Sequence, residues 1–245
     1  MDNIDLKTAE GLGIWVTNAP LSKANFVAEH TIEFIIALAR NMVRCDKEFR
    51  AGNFEIRNQL NGYDLEGKIL GLIGLGRIGT MVAKKESLGL NMKVIGYDPF
   101  LTQDKVIPKI ELVNDWEYIF KTADFISLHM PAAEKIKGII GMREFELMKP
   151  TAYFTNYARG EVVNELDLIE ALKTNKIAGP ALDVFSFEPL PKNSPLLRLD
   201  NLIITPHNAA LIKEATMRMA LYAAIGIDEV LSGKRSSWPV NNPKL

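Results

Sequence analysis

Along this chain, short apolar runs alternate with stretches whose apolar residues recur at helical spacing. The runs lie at residues 69–73, 93–98, 124–129, 152–156, 177–184 and 202–205, and they read as buried strands. After the first run, Ile78, Met81 and Val82 repeat at i, i+3 and i+4. Before it, Val27, Thr31, Phe34, Ile35, Leu38 and Met42 cover much of the circumference of one long helix expected over 25–50. A helix apolar on so many sides must be buried between domains or against a second subunit. Strands alternating with crossover helices predict an α/β fold with a doubly wound parallel sheet.

Helix ends are also signposted. Asn164 is an N-cap followed by Glu165 and Asp167, with Leu166, Ile169 and Leu172 directed to the core. A last helix is expected over 213–231, stopped by Gly233. The N-terminus offers a short helix or turn around 7–10 and a strand at 13–17, ended by Asn18, Ala19 and Pro20. Residues 52–62 form a polar loop, and the tail from 236 is polar and contains proline.

A formal net charge of −1 gives no field that would hold nucleic acid or an anionic membrane. The first residues are acidic where a signal peptide is basic, and the densest apolar run, 34–39, is too short to span a bilayer, so a cytoplasmic protein is expected. The single cysteine, Cys45, excludes an internal disulfide and a paired-thiolate metal site; an inert thiol and no metal are expected.

Residues 68–79, Lys-Ile-Leu-Gly-Leu-Ile-Gly-Leu-Gly-Arg-Ile-Gly, carry Gly74, Gly76 and Gly79 in G-x-G-x-x-G spacing between a strand and a helix. Such glycines allow a tight turn, close approach of a pyrophosphate and close helix packing, with the anion at the helix N-terminus near Arg77. Asp98 follows Gly79 by nineteen residues, where a carboxylate binds adenosine ribose hydroxyls. No Arg or Lys follows it before Lys105, which favours NAD over NADP.

Ligands of such sheets bind beyond the strands' carboxyl ends. There the sequence places Arg159, Asp183, Glu188 and His207. An arginine can grip a substrate carboxylate with its fork, and a histidine beside a glutamate can carry the hydroxyl proton of a hydride transfer. The alternatives are an Arg159 paired with a surface acid, a Glu188 that is a loop charge beside Pro189, and a His207 that caps the next helix. His129, before Met130 and Pro131, reads as a backbone-holding residue near a cofactor, and His30 as a hydrogen-bonded structural histidine.

Taken in order, these motifs resemble the NAD-dependent D-2-hydroxyacid dehydrogenases, the family of phosphoglycerate, glycerate and D-lactate dehydrogenases. The resemblance is carried by Val-Thr-Asn-Ala-Pro at 16–20, Val-Ala-Glu-His-Thr at 27–31, Gly-Leu-Gly-Arg-Ile-Gly at 74–79 and Tyr-Asp-Pro at 97–99. It continues with Ser-Leu-His-Met-Pro at 127–131, Asn-Tyr-Ala-Arg-Gly at 156–160, Ala-Leu-Asp-Val-Phe with Glu-Pro over 181–189, and Thr-Pro-His-Asn at 205–208.

The resemblance implies hydride transfer between NAD(H) and a 2-hydroxy or 2-keto acid by a homodimer. Arg159 would bind the substrate carboxylate and carbonyl, His207 would be the acid/base, and Glu188 would hold and charge His207. Asp183 would bind the nicotinamide carboxamide, Arg77 and Ile78 would present backbone to the pyrophosphate, and His129, Pro131, Ala158 and Ala209 would line the cofactor site. The implied organisation is a Rossmann NAD-binding domain over 23–208 and a truncated flavodoxin-like substrate domain, of which 1–22 and 209–245 are present.

Two departures accompany the resemblance. Asn208-Ala209-Ala210 stands where many members have Ile-Gly after the histidine. Family members also carry most of the substrate domain, including a glycine-containing loop that grips the carboxylate, ahead of the Asp-Asn-Ile-Asp stretch that is residues 2–5 here. The expectation is therefore an intact NAD domain, impaired turnover, and apolar surface such as Trp15 left exposed or covered by another chain. The competing function is a non-catalytic NAD-binding dimeric module; an unliganded structural dimer would leave the glycine turn and Asp98 idle.

Overall fold

A computed structural model describes residues 4–19, 24–107, 109–131 and 134–243. Met1, Asp2 and Asn3 of the N-terminal stretch, the strand-ending Pro20 and the last two residues of the tail lie outside them. The chain divides into two compact units, Val27–Ala209 and a smaller one from Met1–Phe26 with Ala210–Leu245.

The larger unit begins within α2 (Ala24–Ala39), after α1 (Leu6–Gly11) of the smaller unit, and continues with α3 (Met42–Arg50) and a 3-10 turn, Phe54–Asn58. The alternating series follows: β1 (Ile69–Ile73), α4 (Arg77–Gly89), β2 (Lys93–Tyr97), β3 (Ile110–Leu112), α5 (Trp116–Thr122) and β4 (Phe125–Leu128). It ends with α6 (Met142–Leu147), β5 (Tyr153–Asn156), α7 (Glu165–Lys173), β6 (Gly179–Leu182) and β7 (Ile203–Ile204). The strands form one sheet in the order β3-β2-β1-β4-β5-β6-β7, parallel at every pairing. This is the doubly wound arrangement the alternation predicts. Order reverses between β1 and β4, the switch point where such sheets open a crevice.

The sheet is covered on both faces. Ile119, Phe120, Phe145, Phe154, Leu168 and Leu172 belong to one core, while Phe34, Ile35, Leu38, Leu70, Leu72 and Val82 belong to the other. A parallel sheet buried on both sides needs continuous apolar strands, and β4 and β5 are buried throughout.

Three expectations are corrected and one strand is added. The single helix over 25–50 is two helices, because Asn41 adopts φ 51°, a left-handed conformation that asparagine tolerates, and ends α2. Beyond the break, Met42, Val43 and Phe49 are exposed, so the apolar period outlasts the burial. The strand at 13–17 is only an isolated antiparallel bridge, Thr17 with Pro239. Strand β3 escapes the pattern because it is a three-residue edge strand with Glu111 at its centre. In α7, Asn164 caps the N–H groups of Leu166 and Asp167 as expected, but Leu166 lies in the first turn and is exposed; Leu168, Ile169, Ala171 and Leu172 fill the core.

In the smaller unit, α8 (Lys213–Leu231) is followed by Gly233 at φ 73°. The Asn241 amide ties the N-terminal segment, accepting the Val16 N–H and donating to the Ile14 carbonyl, both at 2.8 Å. Tyr222 packs on Trp238 with ring centroids 4.9 Å apart. Trp15 is half-buried, whereas Leu12 and Ile14 are exposed. Among the described residues no helix is long and apolar enough to cross a membrane.

Candidate active site

The register of the parallel strands sets out the site. Tyr97, Ile73, Leu128, Asn156, Leu182 and Ile204 form one row across the sheet through their pairings. The next residues along the chain are Asp98, Gly74, His129, Tyr157, Asp183 and Thr205. Backbone bonds carry the ladder one step further: Gly74 N–H to Tyr97 O, His129 N–H to Ile73 O, Tyr157 N–H to Leu128 O and Thr205 N–H to Leu182 O, at 2.8–3.1 Å. Parallel pairing thus delivers residues far apart in sequence to a single carboxyl-terminal edge.

At the switch point, Gly74 has φ 96°, and a Cβ there would lie 2.8 Å from the His129 carbonyl carbon and the Met130 nitrogen. A Cβ at Gly79 would overlap the Gly74 carbonyl, whereas one at Gly76 would meet open space. The turn is therefore pressed against β4 on one side and open at Gly76, where α4 starts without a side-chain cap. An uncapped helix start facing open space fits a pyrophosphate. Arg77 and Ile78 open that first turn. Asp98 accepts the Leu75 N–H through Oδ2 and the Phe100 N–H through Oδ1, each at 3.0 Å, which orients its carboxylate beside the turn. The residues present fit a dinucleotide.

His129 stands beside this turn, with Nε2 2.8 Å from Ser127 Oγ, which in turn accepts the Thr155 hydroxyl at 2.7 Å. Its ring stacks on Tyr157 at 5.9 Å. Part of the residue is exposed, but Nδ1 is shut away from solvent without a hydrogen-bond partner among the described residues, and burial pushes the pKa down to about 3. A neutral His129 suits a holding role, not proton transfer at neutral pH. Tyr157 donates to the His30 carbonyl, and His30 Nδ1 contacts the same hydroxyl, both at 2.7 Å, so His30 is a structural histidine that ties α2 to the row.

Further along the edge, the Glu188 carboxylate meets His207 Nδ1 at 2.7 Å and takes the Phe185 N–H at 3.0 Å. Burial works to raise the Glu188 pKa. The His207 bond, the Phe185 N–H and the positive charges of His207 and Arg159 outweigh it and hold the carboxyl below its usual range. With Nδ1 engaged, Nε2 is the ring nitrogen of the half-exposed His207 that Glu188 leaves available. Arg159 follows β5 on a turn fixed by buried Asn156, whose side chain accepts the Ala158 N–H at 2.9 Å and donates to the Arg159 carbonyl at 3.0 Å. A Cβ on Gly160 would overlap the Phe185 carbonyl, so the Arg159 turn lies directly against the turn that carries Glu188.

Asp183 is 2% exposed. Its oxygens accept the Thr205 hydroxyl at 2.6 Å, the Asn208 N–H at 2.9 Å and the Ala209 N–H at 3.1 Å. In this structure it braces the loop that carries His207. Pro131 is exposed beyond β4, and Ala158 and Ala209 are buried. The sequence alone does not single out Asn156, Thr205 and Gly160: Asn156 holds the turn that follows its own strand, while Thr205 and Gly160 act through contacts with another strand's loop, and only their positions beside Arg159 and His207 hint at it. Among the described residues no cluster of His, Cys, Asp and Glu could hold a metal.

Residues 32–209 match the model of the D-isomer specific 2-hydroxyacid dehydrogenase NAD binding domain. The whole chain is 42% identical to a D-3-phosphoglycerate dehydrogenase of Methanocaldococcus jannaschii, spanning 46% of it, or about half its length. It is also 40% identical over its whole length to a glyoxylate reductase of Thermofilum pendens, spanning 73% of it. Among solved structures, the TT0316 protein from Thermus thermophilus is similar with a TM-score of 0.91 at 34% identity, over 98% of this chain and 76% of that one. D-lactate dehydrogenase with NAD+ from Lactobacillus jensenii gives 0.88 at 30% identity, over 99% and 76%.

Proposed function

We propose that this chain, which belongs to the D-isomer specific 2-hydroxyacid dehydrogenase family, moves a hydride between NAD(H) and a 2-hydroxy or 2-keto acid. The observation that carries the reading is the 2.7 Å contact of Glu188 with His207, set on the same sheet edge as the glycine turn and packed against the Arg159 turn. Gly74, Gly76, Arg77, Ile78 and Gly79 hold the pyrophosphate, Asp98 the ribose, and His129, Pro131, Ala158, Asp183 and Ala209 the remaining wall. When bound, the nicotinamide supplies or accepts the hydride.

The chain's own residues do the rest. Arg159 grips the substrate carboxylate and draws charge from the adjacent carbonyl oxygen. His207 delivers a proton from Nε2 to that oxygen as the keto acid is reduced, and removes it in the reverse direction. Glu188 fixes the ring's tautomer through Nδ1 and offsets its positive charge.

The same proposal assigns residues 1–22 and 209–245 to a substrate domain and 23–208 to the NAD domain. It places the protein in the cytoplasm as a homodimer. A groove of about 710 Å³ along α2, the start of α3 and β7, with Met42 and Val43 exposed, supports an interface between copies.

A second reading is an NAD-binding dimeric module without turnover, which uses the glycine turn and the Asp98 carboxylate oriented beside it. Mixing the chain with NADH and hydroxypyruvate separates the two. Loss of NADH absorbance that disappears in His207→Ala supports the enzyme, and NADH bound but unconsumed supports the module.

A further inference from the structure

His207 and Glu188 also border a cavity of about 380 Å³ walled by Phe185, Leu190, Leu197, Ile204 and Pro206. Its size lies in the range of small-molecule pockets. Its chemistry is one-sided. Both Glu188 oxygens are taken, by His207 Nδ1 and the Phe185 N–H, and the Thr205 hydroxyl is given to Asp183. No Lys or Arg lines the cavity among the described residues. Apart from the bordering His207 ring, a phosphate or hydroxyl entering it would lose its water and find no positive charge or uncommitted donor, whereas a hydrocarbon group would lose nothing. Arg159 is not among the lining residues, so a carboxylate gripped there lies outside the cavity.

We propose that this cavity receives the substituent of the 2-keto acid and that the substrates are 2-keto acids bearing branched aliphatic or aryl groups. The inference rests on His207 being the residue that faces the substrate carbonyl. With the carboxylate on Arg159 and the carbonyl at His207, the third substituent of the carbonyl carbon enters the apolar space at the histidine's side. Leu197, a half-exposed residue of the cavity wall, limits the admitted size.

The test is calorimetry on the chain saturated with NAD+, which a keto acid cannot oxidise further, comparing 4-methyl-2-oxopentanoate with pyruvate. The three additional carbons should tighten binding by at least about tenfold. In Leu197→Trp, which fills the cavity, the ratio of the two affinities should fall towards one while NAD+ binding persists. Equal or weaker binding of the branched acid, or a preference that survives Leu197→Trp, overturns the proposal. If neither acid binds and NAD+ also fails to bind, the dehydrogenase reading itself falls. If pyruvate binds in a His207-dependent way without the branched preference, only the apolar subsite is refuted.

Discussion

Thr205 and Asp183 are joined by a 2.6 Å hydrogen bond from the Thr205 hydroxyl to Oδ1, and the Asn208 and Ala209 N–H groups close on the same carboxylate. Residues on both sides of His207 are thus anchored to one buried acid, while His207 itself takes φ 51°, an uncommon conformation for histidine. The direction of the imidazole is set from below.

Thr205→Val keeps the shape and removes the donor. Stability should fall by about 1 kcal/mol, the net worth of one hydrogen bond. If the loop aims His207, kcat should fall about tenfold, or roughly 1.4 kcal/mol, with NADH affinity unchanged. Thermal melts and steady-state kinetics measure the two effects separately.

Glu188→Gln retains a hydrogen-bonding group but removes a charge that is held ionised by His207 and Arg159. The kcat/KM for reduction should drop about 10- to 100-fold. An unchanged kcat/KM contradicts the role given to Glu188.

Gly160→Ala drives a methyl group into the Phe185 carbonyl. The turns bearing Arg159 and Glu188 must separate, at a cost of about 1–3 kcal/mol. Activity should fall much further than NADH affinity, since the glycine turn at 74–79 is left alone.

Glu86 on α4 is fully buried, neither carboxylate oxygen has a hydrogen-bond partner among the described residues, and burial pushes its pKa up to about 7 from 4.5. Between these values the folded chain keeps a proton that the unfolded chain releases, so stability falls as pH rises. The cost is absent at about pH 4 and reaches about 3 kcal/mol above neutrality. Urea melts of Glu86→Gln should match the parent near pH 4 and exceed it in stability near pH 8; parallel curves at all pH values would refute this.

Much of the architecture was legible because burial on both faces writes each central strand as an apolar run, as at 69–73, where the observed bounds coincide with the pattern. That the glycine turn, Asp98, Arg159, Glu188 and His207 lie at one edge was legible because a parallel sheet sends each loop to the same edge; their roles are the proposal. The break at Asn41 was hidden, since one backbone dihedral, and no change of pattern, ends α2. Leu166 misled because the apolar period does not say where a helix leaves the core. The bracing by Thr205 and Asp183 depends on which loops meet across strands, and no local spacing records that.

A calorimetric titration of this chain with NADH, followed by hydroxypyruvate in the same cell, tests most directly whether the sheet edge is a working dehydrogenase site. The expected result is NADH binding followed by its oxidation when the keto acid is added. Failure of NADH to bind would contradict the cradle at Gly74, Gly76 and Gly79. NADH that binds and is never consumed would contradict catalysis by Arg159, Glu188 and His207 in this chain.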